Sequence, residues 1–500
     1  MANLWKLGDV GVTYRCQKIR EMRYHRGTGR HQQSFLSLDD LICKGHVVRL
    51  IDEICEEFCR ELECDNVFEK GNKDTGRMPY HPADLLKILV YGYLNGVSSS
   101  RKLERESGRN VEVKWLTSGL APDHKTLADF RRNNGELIIR FFGHLVKRFK
   151  EAGLLSGKSI AVDGTKIKAY ASQEITMETV NQKLEDIENG VEKYLKQMEV
   201  LDTTEDEVEE LQKKKVVLEE ELERLGYKKK EYEGYKERLE QAGEERVCIT
   251  DAEAKMMRGR HGKYYGYNVQ VAVDTENHFL TSLQTTDNQN DKGLLAPMVE
   301  ASTQSTDQQP EEALADAGYY KINQLEHLEQ QGTQCYVAIN KTFKQIEDEK
   351  HGLAFTYSET EDCYYCTEGR TLEYSRKKKK EDRTPVRVYK GTECGTCSKR
   401  EICTTASARS VQRSENQEWI DAYHDKMKSC EGKQKLIKRR SVAEHPFGTM
   451  RYAMGQIPVL LRGRNKVQIE MHLYGIGYNL KRYLNIQRME EGKTAIRQAA

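Results

Sequence analysis

The 500-residue chain is long enough for several hydrophobic cores, and its 80 Lys and Arg against 79 Asp and Glu leave a formal charge of +1, which by itself argues against a polyanion binder. That neutrality is the sum of an acidic segment, residues 174–246 with 13 basic against 23 acidic side chains, and a basic one, residues 433–500 with 14 against 4. No signal-peptide core is present in "MANLWKLGDVGVTYRC", and "LLKILVYGYL" is too short to span a bilayer, so a soluble cytoplasmic protein without a membrane partner is expected.

Residues 35–150 form the first unit. In "LDDLICKGHVVRLIDEICEEFCREL", "HPADLLKILVYGYLNG" and "GELIIRFFGHLVKRFKEAG", apolar residues recur every three or four positions, which predicts helices and little strand. Between the last two segments the pattern is punctuated by Gly108, Gly119 and Pro122, with Asp123 placed to cap a helix. Here Arg101, Lys102, Arg105, Lys125, Arg131 and Arg132 form a candidate helix-turn-helix surface for DNA phosphates. A helical bundle with a solvated basic face fits this stretch equally well.

After Gly157 the period changes. "KSIAVDGTKIKAYAS" alternates apolar and polar residues and carries Asp163 at the end of a short strand pattern. Further on, "GYNVQVAVDTENHFLTSLQTTD" reads as two strands around a turn, "GLLAPMVEAST" as a helix, "EEALADAGYY" as a strand ending at Asp316, and "QCYVAIN" as one more. Strands alternating with helices predict an α/β layer within a mixed α+β, multidomain chain.

Two insertions interrupt that layer. In residues 174–246, Val180, Leu184, Ile187, Val191, Tyr194, Met198 and Leu201 are spaced 4-3-4-3-4-3, and Val208, Leu211, Leu218, Leu222, Leu225, Tyr232 and Leu239 keep the seven-residue repeat of a coiled coil. Thr204 with Glu207 fits a capping box, which favours two antiparallel helices, although the unbroken heptad phase also allows one rod. Such an arm suits dimerisation or DNA clamping, or is a hairpin packed only on itself. In residues 355–410, "CYYC" and "CGTC" form two CxxC pairs, and Cys363, Cys366, Cys394 and Cys397 are candidate Zn2+ ligands in a zinc-ribbon-like insertion. Cys403 is one candidate too many, and free cytosolic thiols are the competing reading. The eight other cysteines, among them Cys16 and Cys64, show no comparable pairing.

The blocks "YHPADLLKILVYGYLNGVSSSRKLE", "PDHKTLADFRR", "AVDGTKIKAYAS", "GYNVQVAVD", "LADAGYY" and "RSVAEHPFGTMR" resemble, in order, those of DDE transposases of bacterial insertion sequences, in the branch with an InsH-like amino-terminal domain. The resemblance implies a ribonuclease H-like catalytic core over residues 157–485, with Asp163, Asp316 and Glu444 binding two Mg2+ or Mn2+ ions. It also implies double-stranded DNA as partner, both terminal inverted repeats and target, and a homo-oligomer. A catalytically inactive, transposase-derived DNA-binding protein is the alternative. Arg440, Glu444 and Arg451 share one helix face, setting cations for phosphate beside an acid for metal, while Pro446 should put Glu444 at a kink or a helix start. The family's tyrosine position is held by Ile437, and Arg451 replaces its lysine. Asp251, Asp274, Asp287 and Asp291 are competing acids; turn chemistry accounts for Asp274, and solvation for Asp287 and Asp291.

Overall fold

The computed structural model describes residues 37–63, 79–170, 174–202, 209–242, 246–259, 262–341, 343–378, 385–452, 454 and 459–499. Cys16, Cys64 and the capping box at Thr204 and Glu207 lie outside them. Among the described residues six α-helices come first: α1 (Val47–Glu61), α2 (Pro82–Leu94), α3 (Ser100–Arg109), α4 (Val111–Leu116), α5 (His124–Asn133) and α6 (Gly135–Glu151). Their starts follow local chemistry. His46 and His81 accept N–H bonds at the first turns of α1 and α2, and Asp123 accepts from Thr126 N at 2.8 Å to cap α5. Nearly all of α2 is buried, and α3 approaches it closely: a Cβ on Gly92 would stand 2.4 Å from the Leu103 side chain.

The central sheet has six strands: β1 (Ser159–Lys168), β4 (Lys255–Gly259), β5 (Gly262–Asp274), β6 (Leu280–Thr286), β7 (Glu312–Ala315) and β8 (Gln334–Val337). Their order is β4-β5-β1-β7-β8, with β6 also paired to β5. β1 runs antiparallel to β5 and parallel to β7, and β7 runs parallel to β8. The parallel pairs are joined through α9 (Leu295–Thr306) and α10 (Ile322–Gln330), as crossover connections require. Covered on both faces, β1 and β7 read as apolar runs rather than clean alternations.

Two sub-structures leave this sheet. Between β2 (Glu174–Thr176) and β3 (Arg246–Cys248), which pair with each other, rise α7 (Met177–Asp202) and α8 (Glu209–Ala242). The helices lie antiparallel, since Lys229 pairs with Glu188 at 2.8 Å while Val180 clusters with Tyr235 and Leu239 nearer the base. Val180, Leu184, Ile187, Val191, Tyr194 and Met198 are buried or half-buried, and apart from Gly190 beside Val191 their chain neighbours are exposed. After α11 (Phe343–Lys350) comes an antiparallel sheet of β9 (Phe355–Ser358), β10 (Cys363–Cys366), β11 (Thr371–Lys378), β12 (Val386–Gly391) and β13 (Ser410–Ser414). A short helix, α12 (Arg400–Cys403), precedes β13, and the small core of this sheet is Tyr364, Leu372 and Tyr389.

The chain then returns through α13 (Gln417–Lys428), α14 (Cys430–Tyr452) and α15 (Arg464–Ala499). α14 lies across β1, β5, β7 and β8, and α15 packs on α2, α6 and β6. A Cβ on Gly477 would stand 3.0 Å from Leu94 N, so only glycine lets α15 come this close to α2. One hydrophobic cluster therefore runs from α1 through the sheet to α15. Pro446 neither ends nor starts α14, so Glu444 is not at a helix start: the helix runs from Cys430 to Tyr452 with both residues inside it. An interior proline costs about 3 kcal/mol; burial of Pro446, Phe447 and Met450 against the core offsets it. No helix among the described residues is long and apolar enough to cross a membrane.

Candidate active site

Parallel register places the first two acids together. Ala161 on β1 pairs with Leu314 on β7, so Asp163 and Asp316, each two residues further on, reach the same level of neighbouring strands. Asp316 caps a short 3-10 turn, Ala317–Tyr319, by accepting from Gly318 N at 2.8 Å. Asp163 accepts from Gly164 N at 2.9 Å. A single guanidinium nitrogen joins them: Arg439 Nη2 stands 2.7 Å from Asp163 Oδ1 and 3.6 Å from Asp316 Oδ2. Burial pushes the Asp163 carboxyl up to about 6, opposed by Arg439 and the Gly164 N–H and reinforced by the charges of Asp316 and Asp291.

Asp291, one of the competing acids, lies beside this pair, so solvation alone does not account for it. Its Oδ1 accepts from Asn268 Nδ2 and Gln270 Nε2, both at 2.8 Å, and Gln270 Oε1 in turn accepts from Tyr319 OH. Gly164 and Gly318 make room for it: a Cβ on the first would lie 2.9 Å from Asp291 Oδ1, and one on the second 3.3 Å from Asp291 Oδ2. Three carboxylates thus gather around two glycines.

α14 brings the other groups. Arg439 falls on its inward face with Ala443, Pro446 and Met450, at helical spacing. Sequence reasoning passed over it for its neighbour Arg440, which is exposed; helix phase against the apolar residues was the missed signal. Arg451 donates to Thr165 Oγ1 at 2.9 Å, two residues along β1 from Asp163. Glu444 is exposed on the face shared with Arg440 and Arg451, and among the described residues no hydrogen bond or ion pair joins it to either aspartate. His445 is internal: its Nδ1 meets Tyr478 OH at 2.8 Å. No three His, Cys, Asp or Glu side chains among the described residues are closed into a metal-ligand cluster.

The other three competing acids have partners elsewhere. Buried Asp251 accepts from Tyr267 OH at 2.7 Å and Gly463 N at 3.2 Å. Asp274 accepts the turn N–H groups of Glu276 and Asn277, and Asp287 pairs with Arg464 at 3.5 Å.

On the helical unit, Arg101, Lys102 and Arg105 are exposed on α3, as is Lys125 on α5. Arg132 is also exposed and pairs with Asp129 at 2.8 Å. Arg131 corrects the expected surface, because it is 5% exposed and donates to Tyr93 OH and Ser98 O, each at 2.9 Å. Helix phase turns it inward with Leu127 and Phe130. Arg131→Ala is therefore expected to destabilise the fold by roughly 2 to 4 kcal/mol, by stranding buried polar groups, while leaving the salt dependence of DNA binding unchanged. Denaturant unfolding beside salt-titrated binding checks this; wild-type unfolding with a shallower salt slope would restore Arg131 to the DNA surface.

These features define an α+β protein whose central mixed sheet carries a paired-carboxylate site bridged by a helix-borne arginine. Residues 36–133 match the family described as Transposase domain (DUF772), and residues 158–480 match Transposase DDE domain. The second match covers well over half of the chain, which belongs to the DDE transposases of insertion sequences. No curated protein and no solved structure matches it.

Proposed function

We propose that this chain is an active transposase that binds the terminal inverted repeats of its own element, hydrolyses the phosphodiester at each end and directs the freed 3′-hydroxyl at target DNA. One observation carries the reading: Asp163 and Asp316 meet at one level of β1 and β7 and share a cation. The sheet order, with β5 and β6 antiparallel to β1 or its neighbour and β7 and β8 parallel to it, supports a ribonuclease H-like core. Asp163, Asp316 and Glu444 are the acids proposed to hold divalent metal.

The site fits such an ion on chemical grounds, since carboxylate oxygens are hard donors and this pair already accommodates the positive charge of Arg439. Bound Mg2+ or Mn2+ supplies Lewis-acid activation of water or hydroxyl and neutralises charge on the phosphate. The chain's own residues do the positioning. Gly164 N and Gly318 N fix the carboxylate rotamers, Arg439 holds the two acids at a common point, and Arg451 presents a guanidinium beside β1 for a phosphate oxygen. Exposed Arg101, Lys102 and Arg105 supply phosphate contacts on the helical unit. An element has two ends and this chain one such site, so a homo-oligomer acts, on DNA in the bacterial cytoplasm.

The test is cleavage of DNA carrying the element's own ends, with Mg2+, Mn2+ or chelator. Metal-dependent nicks that leave 3′-hydroxyls at the element boundary are expected. Tight end binding with no nick under either metal would identify a DNA-binding derivative instead.

A further inference from the structure

We propose a structural Zn2+ site in the second sheet whose four ligands are Cys366, Cys394, Cys397 and Cys403, with Cys363 excluded. The CxxC spacing favours Cys363 over Cys403. Geometry reverses that choice, because residues i and i+3 of a strand point to opposite faces and both CYYC cysteines lie on β10. Cys363 is buried with its Sγ 3.6 Å from a Glu361 carboxylate oxygen, a poor place for a thiolate.

The other four thiols line one small cavity, together with Phe355 and Arg409. Two tight turns present them. Immediately after Cys366 the chain reverses at Gly369, which has φ +73° and donates its N–H to Cys366 O at 2.8 Å. Cys394 and Cys397 bracket a 3-10 turn, Cys394–Thr396, closed by a Cys397 N to Cys394 O bond of 3.3 Å. Arg370 ties these turns to each other, donating to Thr396 Oγ1 at 2.9 Å and to Thr396 O at 3.1 Å. Cys403 closes the fourth side from the end of α12.

Two groups near the cavity favour negative sulfur. Arg409 N donates to Cys394 Sγ at 3.5 Å, and Lys399 lies within electrostatic reach of Cys397 and Cys366. A Cβ on Gly391 would stand 2.4 Å from Cys394 Sγ, so the chain keeps space for that sulfur. The core of this sheet is only Tyr364, Leu372 and Tyr389 with their partly buried neighbours, the size of core that a metal staple commonly supplements. The side chains line the cavity without being drawn onto a common point. A thiol swings about χ1 alone, so closure on an ion is a change of rotamer; four thiol protons pass to solvent as the four Zn–S bonds form. This inference is independent of the carboxylate site and of DNA cleavage.

Full-length protein exchanged into metal-free buffer should retain one Zn2+ per chain. Replacement by Co2+ should give the thiolate-to-cobalt charge-transfer band of a four-sulfur tetrahedral site. Cys403→Ser should weaken that band and lower metal affinity at least tenfold, while Cys363→Ser leaves both unchanged. Because a ligand variant also alters packing, alkylation of unmutated protein gives a second reading: bound metal should shield Cys366, Cys394, Cys397 and Cys403 and leave the labelling of Cys363 unaltered. Protein without zinc or a cobalt band, two disulfides among the four thiols, or metal loss in Cys363→Ser with retention in Cys403→Ser would each overturn the assignment.

Discussion

Asp316→Asn is expected to lower cleavage of the element's ends by roughly a thousandfold or more, about 4 kcal/mol of transition-state stabilisation, with DNA binding retained. The change preserves side-chain shape and removes the charge that a hard divalent ion requires. Asn keeps an acceptor for Gly318 N, now donating at 2.8 Å, so the turn after β7 should survive. Asp316 is also the safer of the two acids to alter: its side chain is 44% exposed, against 16% for Asp163, which is locked to buried Arg439. Binding should hold or strengthen slightly, because affinity for duplex DNA comes from cations on phosphates and the variant removes a negative charge. End-cleavage rates and end-binding isotherms for the same preparations check this. Unchanged cleavage would show that Asp316 does not hold the metal. Asp291→Asn is then the decisive comparison, since Asp291 Oδ1 accepts two amide bonds that an amide oxygen also accepts.

Strand patterns alone left Asp163 and Asp316 among several candidate acids, and the family resemblance singled them out. Asp163 and Asp316 each end or interrupt an apolar strand pattern, and parallel pairing of those strands is enough to bring them together. What was not legible depends on which way a helix or strand faces. Motif spacing selected Arg440 where burial selects Arg439, and Arg131 looked like a surface cation although its spacing to Leu127 and Phe130 turns it into the core. Asp291 was legible as a competing acid, and its place beside the other two was not. It lies on a connection between β6 and α9, and only the close approach of Gly164 and Gly318 brings that connection to the other acids. For the cysteines, spacing pairs Cys363 with Cys366, whereas strand alternation puts them on opposite faces of β10, and it is Cys366 that lines the cavity with Cys394, Cys397 and Cys403.

Substituting Arg101, Lys102 and Arg105 together by Ala is expected to weaken binding to the element's ends by about two orders of magnitude near physiological salt. Every phosphate no longer neutralised by a cation takes ~0.9 off the slope of log affinity against log salt, so removing three cations flattens it by roughly 2.7. Arg101 and Arg105, at i and i+4, share a face of α3, Lys102 lies about 100° round from Arg101, and all three are exposed, while Leu103 and Ser107 face the core. Stability should therefore change little, in contrast to Arg131→Ala, whose guanidinium is internal. The metal site should also persist, because α3 packs on α2, α4 and α5 and not on β1 or β7. At saturating protein and low salt the triple variant should thus still cut, whereas Asp316→Asn should bind and not cut. Two variants with opposite failures separate the phosphate-holding surface from the cleaving one. A triple variant with the wild-type salt slope would return α3 to the role of a solvated basic face and move the DNA-binding surface elsewhere, with the basic face of α14 the first to test.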